Sequence, residues 1–237
     1  MALLADEFKR VLTQGQERAL WRADQTGVGR RIAEPPNRGM NWMDIIETSR
    51  LLIRPFTMED LNAVHHILDV DLKWAGRTLT LDERRQRLLY QIGRTSDLAN
   101  AIYGNRAIIL RLTQEIVGMV HFQSRIVSAE EKKAVGLPPE DEAAPFNTLE
   151  LDLGYAVATQ HQRQGYATEA VRAMVEYAFG VLRLGRIFAD TMQSNIRSQA
   201  LMKRLGMTIA PCPRAGWPDR QLACLVNPNA SHEIPPK

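Results

Sequence analysis

The spacing of apolar residues predicts that strands and helices alternate over much of this chain. Every second residue from Leu149 to Val157 is apolar or aromatic, which is the pattern of a strand with one buried face. After a polar bend around Gly165, apolar residues recur at helical spacing from Ala167 to Leu182, which predicts a long amphipathic helix. This strand, bend and helix form the stretch on which a function is most readily argued.

Similar patterns predict the other elements. The predicted strands are 51–54, 107–112, 116–122, 187–190 and 221–226, and the predicted helices are 58–70, 81–92 and one that begins at Ser194-Asn195. The two strands within 107–122 are separated by a short polar turn, so we expect a hairpin there. Strands mixed with helices in this order predict an α/β (α+β) domain.

The two ends of the chain differ from its middle. In residues 1–42, apolar residues from Leu4 onward fit an amphipathic helix as far as Trp21, and glycines and prolines then indicate a linker. Met43 reads like the natural start of a domain, so we expect a domain at 43–226 and a dispensable extension before it, or a start codon assigned too far upstream. Residues 227–237 are expected to be a disordered tail.

Residues 125–147 form a long, turn-prone insertion rich in acidic residues, among them Glu130, Glu131 and Glu140–Glu142. Charged runs are usually solvated surface, which is one interpretation. The other is that the insertion is an acidic lid over a cationic amine substrate.

Composition narrows the class of protein. The chain has 237 residues, 45% of them hydrophobic, and a formal charge of +3; since the basic residues are scattered, no nucleic-acid partner is expected. Cys212 and Cys224 lack metal-ligand spacing, so we expect reduced cysteines and no metal. No apolar run approaches 18 residues, so we expect a cytoplasmic protein without a membrane segment.

The bend has the features of an anion site. A helix that begins after a bend presents unpaired N–H groups and the positive end of its dipole there. Gly165 and Ala167 leave the main chain open to a phosphate, and Gln162, Arg163 and Gln164 add donors around it. The sequence has neither a P-loop nor a Gly-x-Gly-x-x-Gly motif after a strand, which argues against a nucleoside triphosphatase and a dinucleotide dehydrogenase.

Three stretches, taken in chain order, carry a family pattern. They are Arg50–Pro55 with Asp60-Leu61 behind it, Gln162–Ala170, and Asn195–Ser198 followed by Met202–Met207. Together they resemble the GNAT superfamily of acyl-CoA-dependent N-acetyltransferases, in particular the ribosomal-protein-alanine N-acetyltransferase branch. The second stretch matches the family's Gln/Arg-x-x-Gly-x-Gly/Ala signature, and the order of all three is more specific than any one motif.

The resemblance implies a mixed, mostly antiparallel sheet, splayed at the CoA site and flanked by helices, with acetyl-CoA as co-substrate. In this family the bend holds the CoA pyrophosphate, and the splayed strand pairs with the pantetheine arm like a missing strand. Asn195 would fix the arm, and Arg197 would meet a phosphate or lie in solvent. The implied cofactor-binding residues are Tyr155, Ala156, Val157, Gln162, Arg163, Gln164, Gly165, Tyr166, Ala167, Thr168, Asn195 and Arg197.

The resemblance also suggests catalytic residues. An alkyl amine with a pKa near ~10 must lose a proton before it attacks a thioester. Asp152 is the candidate base, acting through water, and Glu150 is the fallback; an outward-facing strand carboxylate is the alternative for both. Many family members use a tyrosine as general acid where this chain has Met202. Ser198 is the candidate to protonate the sulfur instead, or it has no chemical role, because a thiol with a pKa near ~8.5 can leave as thiolate.

These inferences predict an enzyme that moves an acetyl group to a primary amine, either a protein N-terminus or a small molecule, by direct attack in a ternary complex. One alternative is a catalytically weak acetyl-CoA-binding or sensing module, which Met202 favours. Another is a different donor such as succinyl-CoA, which would need a further cation near the thioester. The acceptor and the oligomeric state stay open, with a homodimer expected from general frequency.

Overall fold

The computed structural model describes residues 20–23, 29–32, 45–74, 76–95, 104–138 and 147–230. The strands are β1 (Leu20–Ala23), β2 (Gly29–Ile32), β3 (Ile46–Glu47), β4 (Leu51–Pro55), β5 (Gly104–Leu110), β6 (Ile116–Val127), β7 (Thr148–Val157), β8 (Arg186–Met192), β9 (Thr208–Pro211) and β10 (Arg220–Val226). The α-helices are α1 (Leu61–His65), α2 (Leu81–Thr95), α3 (Ala129–Ala134), α4 (Tyr166–Gly180) and α5 (Ile196–Arg204).

The described strands form one mixed sheet in the order β2-β1-β3-β4-β5-β6-β7-β8-β10-β9. Neighbouring strands are antiparallel, except that β1 is parallel to β3 and β7 is parallel to β8. The predicted hairpin is confirmed as β5–β6. The mixed, mostly antiparallel sheet is therefore confirmed, whereas β1, β2, β3 and β9 have no counterpart among the predicted strands.

The strand β7 lies at the centre of the protein, and both of its faces are buried. Leu153 and Val157 face α4 and join a core cluster that includes Met174. Ala156 points to the opposite face and packs in a second cluster with Leu61 and other residues of the α1–α2 side. The alternation read from the sequence is thus real, but the small residues between the large ones are buried too.

The predicted helix 58–70 is divided into three segments. A 3-10 turn at Met58–Asp60 leads into α1, and a π-helical segment follows at His66–Asp71. Asp69, which is fully buried, accepts two hydrogen bonds from the Arg84 guanidinium of α2, at 2.6 and 2.7 Å. Burial alone would raise the pKa of Asp69, but Arg84 and His65 hold it below its usual value. This ion pair fixes α2 against the π-helical segment.

The N-terminal part of the chain contributes β1 and β2 to the sheet, next to β3. Most of the predicted N-terminal helix lies outside the described residues, and its last residues, Leu20 and Trp21, are in β1. The predicted linker is interrupted by β2. The domain start at Met43 and the dispensability of residues 1–42 stay predictions.

Part of the insertion 125–147 is regular structure rather than loop. The strand β6 continues to Val127, and α3 follows, capped by Ser128, whose Oγ accepts from the N–H of Glu131. Glu131 is 1% exposed and accepts from the guanidinium groups of Arg125, at 2.6 Å, and Arg214, at 3.1 Å. Glu131 therefore belongs to the interior and is not an acid of a lid; Glu140–Glu142 lie outside the described residues.

The C-terminal segment stays ordered beyond the predicted domain end. The Asn227 side chain donates to the Leu184 carbonyl at 2.9 Å, and its N–H donates to the Gly185 carbonyl at 2.8 Å. Residues 231–237 of the predicted tail lie outside the described residues. Cys212 and Cys224 are free thiols and buried, and burial raises the pKa of Cys224 to about 12.

Candidate acyl-CoA site

The first feature of the site is a gap between β7 and β8. β7 pairs with β6 along its whole length, whereas its described pairing with β8 consists of Asp152 opposite Phe188. At the end of β7 the Ala158 N–H donates to the Val117 carbonyl of β6 at 2.9 Å. Since main-chain groups alternate in direction along an antiparallel strand, those of Tyr155 and Val157 point into the gap. An extended ligand could pair with this open edge.

The second feature is the start of α4, which lies beside the end of β7. Gly165 is the N-cap residue in the left-handed region, with φ of +84°, and offers no side chain to cap the helix. The first helical hydrogen bond runs from the Glu169 N–H to the Gly165 carbonyl, at 3.0 Å. The N–H groups of Tyr166, Ala167 and Thr168 precede that bond and have no acceptor within the helix. They and the helix dipole favour an anion at this position.

Arg50, from the turn between β3 and β4, holds the bend in place. Its Nη1 donates to the Gln164 carbonyl at 3.0 Å, and its Nε donates to Glu169 at 2.7 Å. Its guanidinium also lies 4.7 Å from the centre of the Tyr166 ring. Glu169 further accepts from the Thr48 hydroxyl at 2.5 Å. Burial alone would raise the pKa of Glu169, but these donors lower it, so the carboxylate stays ionised as the anchor of the bend.

A cavity of about 650 Å³ lies between β7, the bend and α5. All of the sequence-predicted binding residues except Gln164 line it. The other lining residues are Leu72, Trp74, His161, Ser198, Ala200, Leu201 and Arg204. The lining set contains three arginines and no Asp or Glu, so the cavity wall is cationic, as a polyanionic ligand requires.

Two polar residues connect the walls of the cavity. The Gln162 side chain donates to the Val157 carbonyl at 3.0 Å and accepts from Arg197 at 2.9 Å, so it joins β7 to α5. Asn195 is the N-cap of α5, and its Oδ1 accepts from the Ser198 N–H at 3.1 Å. The sequence motif thus places Asn195 in a capping role within the protein itself, in addition to any contact with a ligand.

A short hydrogen bond inside the cavity joins the Tyr155 and Ser198 hydroxyls, 2.6 Å apart. Burial raises the pKa of Tyr155, while the Ser198 hydrogen bond and the charge of Arg204 act in the opposite direction and leave a net increase. The Tyr155 phenol is therefore protonated at neutral pH. Sequence reasoning named Tyr155 for its main chain alone. It included Arg50 and Arg204 in the family stretches without giving them a role in the site, and it passed over Trp74, which carries no motif.

The two candidate bases are held by arginines. Asp152 is 5% exposed, accepts from Arg125 at 3.1 Å and from Gln123 at 3.3 Å, and is not among the residues that line the cavity. Glu150 accepts from Arg186 at 2.6 and 2.8 Å. Neither carboxylate is presented to the cavity, so the structure does not bring the predicted base together with the predicted binding residues.

The position of the missing tyrosine acid is also internal. Met202 is 2% exposed and packs with Ala189, Met207 and Ala223. Within the described part of the chain, no group of three or more His, Cys, Asp or Glu side chains could hold a metal ion. Among the helices that the structure describes, none combines the length and apolar character needed to cross a membrane.

Comparison with known proteins identifies the family. The model of the acetyltransferase (GNAT) domain matches residues 50–208, which span the gap, the bend and α5. This chain belongs to the GNAT acetyltransferase family. The resemblance seen in the sequence is confirmed, and with it the acyl-CoA-dependent N-acetyltransferase class of enzyme.

Individual relatives agree with this assignment. The chain is 26% identical over 163 residues to an uncharacterized N-acetyltransferase, YoaA, of Bacillus subtilis, which covers 68% of this chain and 81% of that protein. It is 36% identical over 72 residues to FsC-acetyl coenzyme A-N(2)-transacetylase of Aspergillus fumigatus, but this match covers 30% of the chain and 31% of that protein.

Solved structures show the same fold. The ribosomal-protein-S5-alanine acetyltransferase of Vibrio fischeri superposes with a TM-score of 0.56 at 17% identity, and the match covers 78% of this chain and 97% of that chain. At this identity the likeness concerns the fold alone. The GNAT fold expected from the sequence is therefore confirmed.

Proposed function

We propose that this GNAT protein binds acetyl-CoA in the cavity between β7, the bend and α5 and transfers the acetyl group to a primary amine by direct attack. The observation that carries the proposal is the free helix N-terminus at Gly165 beside the open edge of β7. A diphosphate and a chain of amides need these two features side by side. The cationic lining of the same cavity suits a co-substrate with several phosphate charges.

The residues present fit the parts of CoA. The N–H groups of Tyr166–Thr168, together with Arg163 and Arg197, would hold the pyrophosphate. The main chain of Tyr155 would pair with a pantetheine amide, whereas the Val157 carbonyl already accepts from Gln162. A pantetheine amide that reaches Val157 must therefore displace the Gln162 side chain.

The acetyl carbon would lie near the Tyr155 main chain, whose N–H would polarise the thioester carbonyl. Asp152 stays the proposed base, because it lies at the ladder pair from which β7 and β8 separate, so water in the gap could connect it to an amine. The ion pair with Arg125 occupies one of the two Asp152 oxygens that would accept the proton, so the base must act through the other oxygen or displace the guanidinium. Glu150 is paired with Arg186 in the same way and stays the fallback.

For the acceptor we propose a primary amine of a protein N-terminus or of a small molecule. A protein acceptor is suggested by the similar fold of the ribosomal-protein-S5-alanine acetyltransferase of Vibrio fischeri. The N(2)-transacetylase of Aspergillus fumigatus suggests a small-molecule amine. Leu72 and Trp74 form a wall of the cavity that is not built by the bend or by α5. Among the residues that the structure describes, we propose these two side chains as contacts of the acceptor.

Calorimetry with CoA, followed by acetyl transfer detected through the released thiol, tests the proposal. The panel would contain peptides that begin with Ala or Ser, the same peptides with blocked N-termini, and spermidine. We expect CoA binding and thiol release with at least one free amine, and no release with the blocked peptides. Wild-type protein that does not bind CoA would overturn the whole proposal.

A second candidate function is a catalytically weak acetyl-CoA-binding or sensing module. It is favoured by the burial of Met202 and by the ion pair that occupies Asp152. In that case CoA would bind, but no amine of the panel would raise thiol release above the level of an Asp152→Asn variant. A donor such as succinyl-CoA has a candidate cation in Arg204, whose charge reaches Tyr155, and a comparison of donors would show it.

A further inference from the structure

The Tyr155–Ser198 hydrogen bond connects β7 to α5 across the cavity. Tyr155 is on β7, Ser198 is on the first turn of α5, and both line the cavity. At 2.6 Å between the oxygens the bond is short for two hydroxyl groups. The Tyr155 hydroxyl also lies 3.4 Å from the Ser198 carbonyl. Two hydroxyl groups thus share a proton-donating chain inside the cavity proposed for CoA.

Both partners are held on rigid elements. The Ser198 N–H donates to the Asn195 cap at 3.1 Å, which fixes the first turn of α5. Tyr155 lies on a strand whose pairing with β6 is continuous from Gly118 to Val127. A hydroxyl pair held in this way keeps its orientation without a ligand, as a preorganised proton donor requires.

The direction of proton movement follows from acidity. A phenol is a stronger acid than an aliphatic alcohol, so Tyr155 is the donor in the hydrogen bond that it shares with Ser198. The Ser198 proton is then available to another acceptor in the cavity. Burial keeps the pKa of Tyr155 above its ordinary value, so the phenol holds its proton at neutral pH. A general acid must be protonated before the step in which it donates, and Tyr155 meets this requirement.

We propose that Tyr155 and Ser198 form a two-hydroxyl relay that protonates the sulfur of CoA as it departs. The inference rests on the proposed function and names the proton source that the Met202 position lacks. The amine nitrogen forms a bond to the acetyl carbon, the C–S bond breaks, and its electron pair stays on sulfur. Ser198 passes its proton to the sulfur and takes the Tyr155 proton. Tyr155 regains a proton from those that the amine releases, so the net reaction releases one proton from the ammonium substrate.

The test uses the ionisation of CoA bound to the full protein and needs no acceptor. A hydroxyl that donates to the sulfur stabilises the thiolate, so it lowers the pKa of the bound thiol. We expect the thiolate absorbance of CoA bound to wild-type protein to appear about one pH unit lower than in Ser198→Ala. Tyr155→Phe keeps the Ser198 hydroxyl but removes its donor, so it should shift the absorbance in the same direction by a smaller amount. The titration of CoA-free protein is subtracted, which removes the contribution of the two buried cysteines, Cys212 and Cys224.

Control variants separate this role from a structural one. Tyr90→Phe, on an exposed side chain of α2, and Ser124→Ala, on an exposed position of β6, should leave the titration unchanged. The double variant at Tyr155 and Ser198 should show the shift of Ser198→Ala alone and not the sum of the two shifts, because Tyr155 acts only through Ser198. In the double variant, kcat for every panel amine that the wild-type protein acetylates should fall by about 10-fold to 100-fold, while the Kd for CoA changes little.

Three results would overturn the inference. One is an identical thiol titration in wild type and Tyr155→Phe at saturating CoA, and another is additive shifts in the double variant. The third is a loss of CoA affinity in Tyr155→Phe that accounts for the whole loss of turnover, which would indicate a binding role. Since these results require wild-type protein that binds CoA, they differ from the failure of the proposed function, in which CoA does not bind at all.

Discussion

Replacement of Arg125 by methionine gives a quantitative test of how the interior near the gap is held. Arg125 is 9% exposed, and its guanidinium contacts three carboxylates, Glu131 at 2.6 Å, Asp152 at 3.1 Å and Asp190 at 3.3 Å. Methionine keeps much of the volume of the side chain and removes the charge. The three carboxylates then differ in what remains to them.

The expected loss follows from the remaining partners. Glu131 keeps Arg214 at 3.1 Å, and Asp190 keeps an ion pair with Arg220. Asp152 keeps the Gln123 amide at 3.3 Å, so it becomes a buried charge without a cation. Removing one partner of a buried ion pair costs about 3–5 kcal/mol. For a domain of this size that corresponds to a decrease in Tm of about 6–20 °C.

Urea unfolding followed by circular dichroism measures this loss directly. The matched control is Arg85→Met, since Arg85 is half exposed and its ion pair with Asp82 is 3.9 Å long; we expect a change within about 0.5 kcal/mol. In the Arg125→Met background, Asp152→Asn removes the uncompensated charge and should restore part of the stability. An Arg125→Met protein as stable as the Arg85→Met protein would show that the buried network does not hold the fold.

Three further predictions concern the bend, acid stability and the N-terminal extension. Gly165→Ala forces a side chain into the left-handed region and places Cβ 3.2 Å from Arg50 Nη2, at a cost of about 1–2 kcal/mol. The free protein can relieve this strain by rearranging the bend, and CoA binding must restore the bend, so calorimetry should show CoA affinity reduced about 5-fold to 30-fold. The control Gly180→Ala, whose added Cβ meets nothing within 4 Å, should bind normally, and equal affinities would refute the role of the bend. Asp69 has a pKa below its unfolded value, so its contribution to stability is complete at neutral pH and lost as the pH falls below about 4. Urea midpoints measured from neutral to acid pH should decline, and Asp69→Asn, less stable at neutral pH, should decline less; parallel curves would contradict this. A protein that begins at Met43 should fold and bind CoA, because four core clusters are formed by residues from Ile46 onward, among the residues whose side chains the structure describes; failure to fold would show that residues 1–42 are required.

The contrast between Gly165 and Asp152 shows how far local sequence reaches. The bend is a local feature: the strand, Gly165 and the amphipathic helix follow one another between Thr148 and Gly180, and their hydrogen bonds are determined by residues close in sequence. Gly165 was therefore placed correctly at the start of a helix. The role of Asp152 depends on Arg125, which lies 27 positions away in the chain, and the pattern of apolar residues does not predict such a pair.

The sequence by itself determined the mixed α/β class, the order of the main elements and the residues that come together around the bend, because hydrophobic periodicity and helix ends are local properties. Tertiary structure alone decided which carboxylates are buried against arginines and how Arg50 holds the bend. It also brought the Tyr155 hydroxyl to Ser198, 43 residues later in the chain. These contacts depend on how strands and helices from distant parts of the chain pack. A single contact of this kind produces no periodic pattern in the sequence from which it could be predicted.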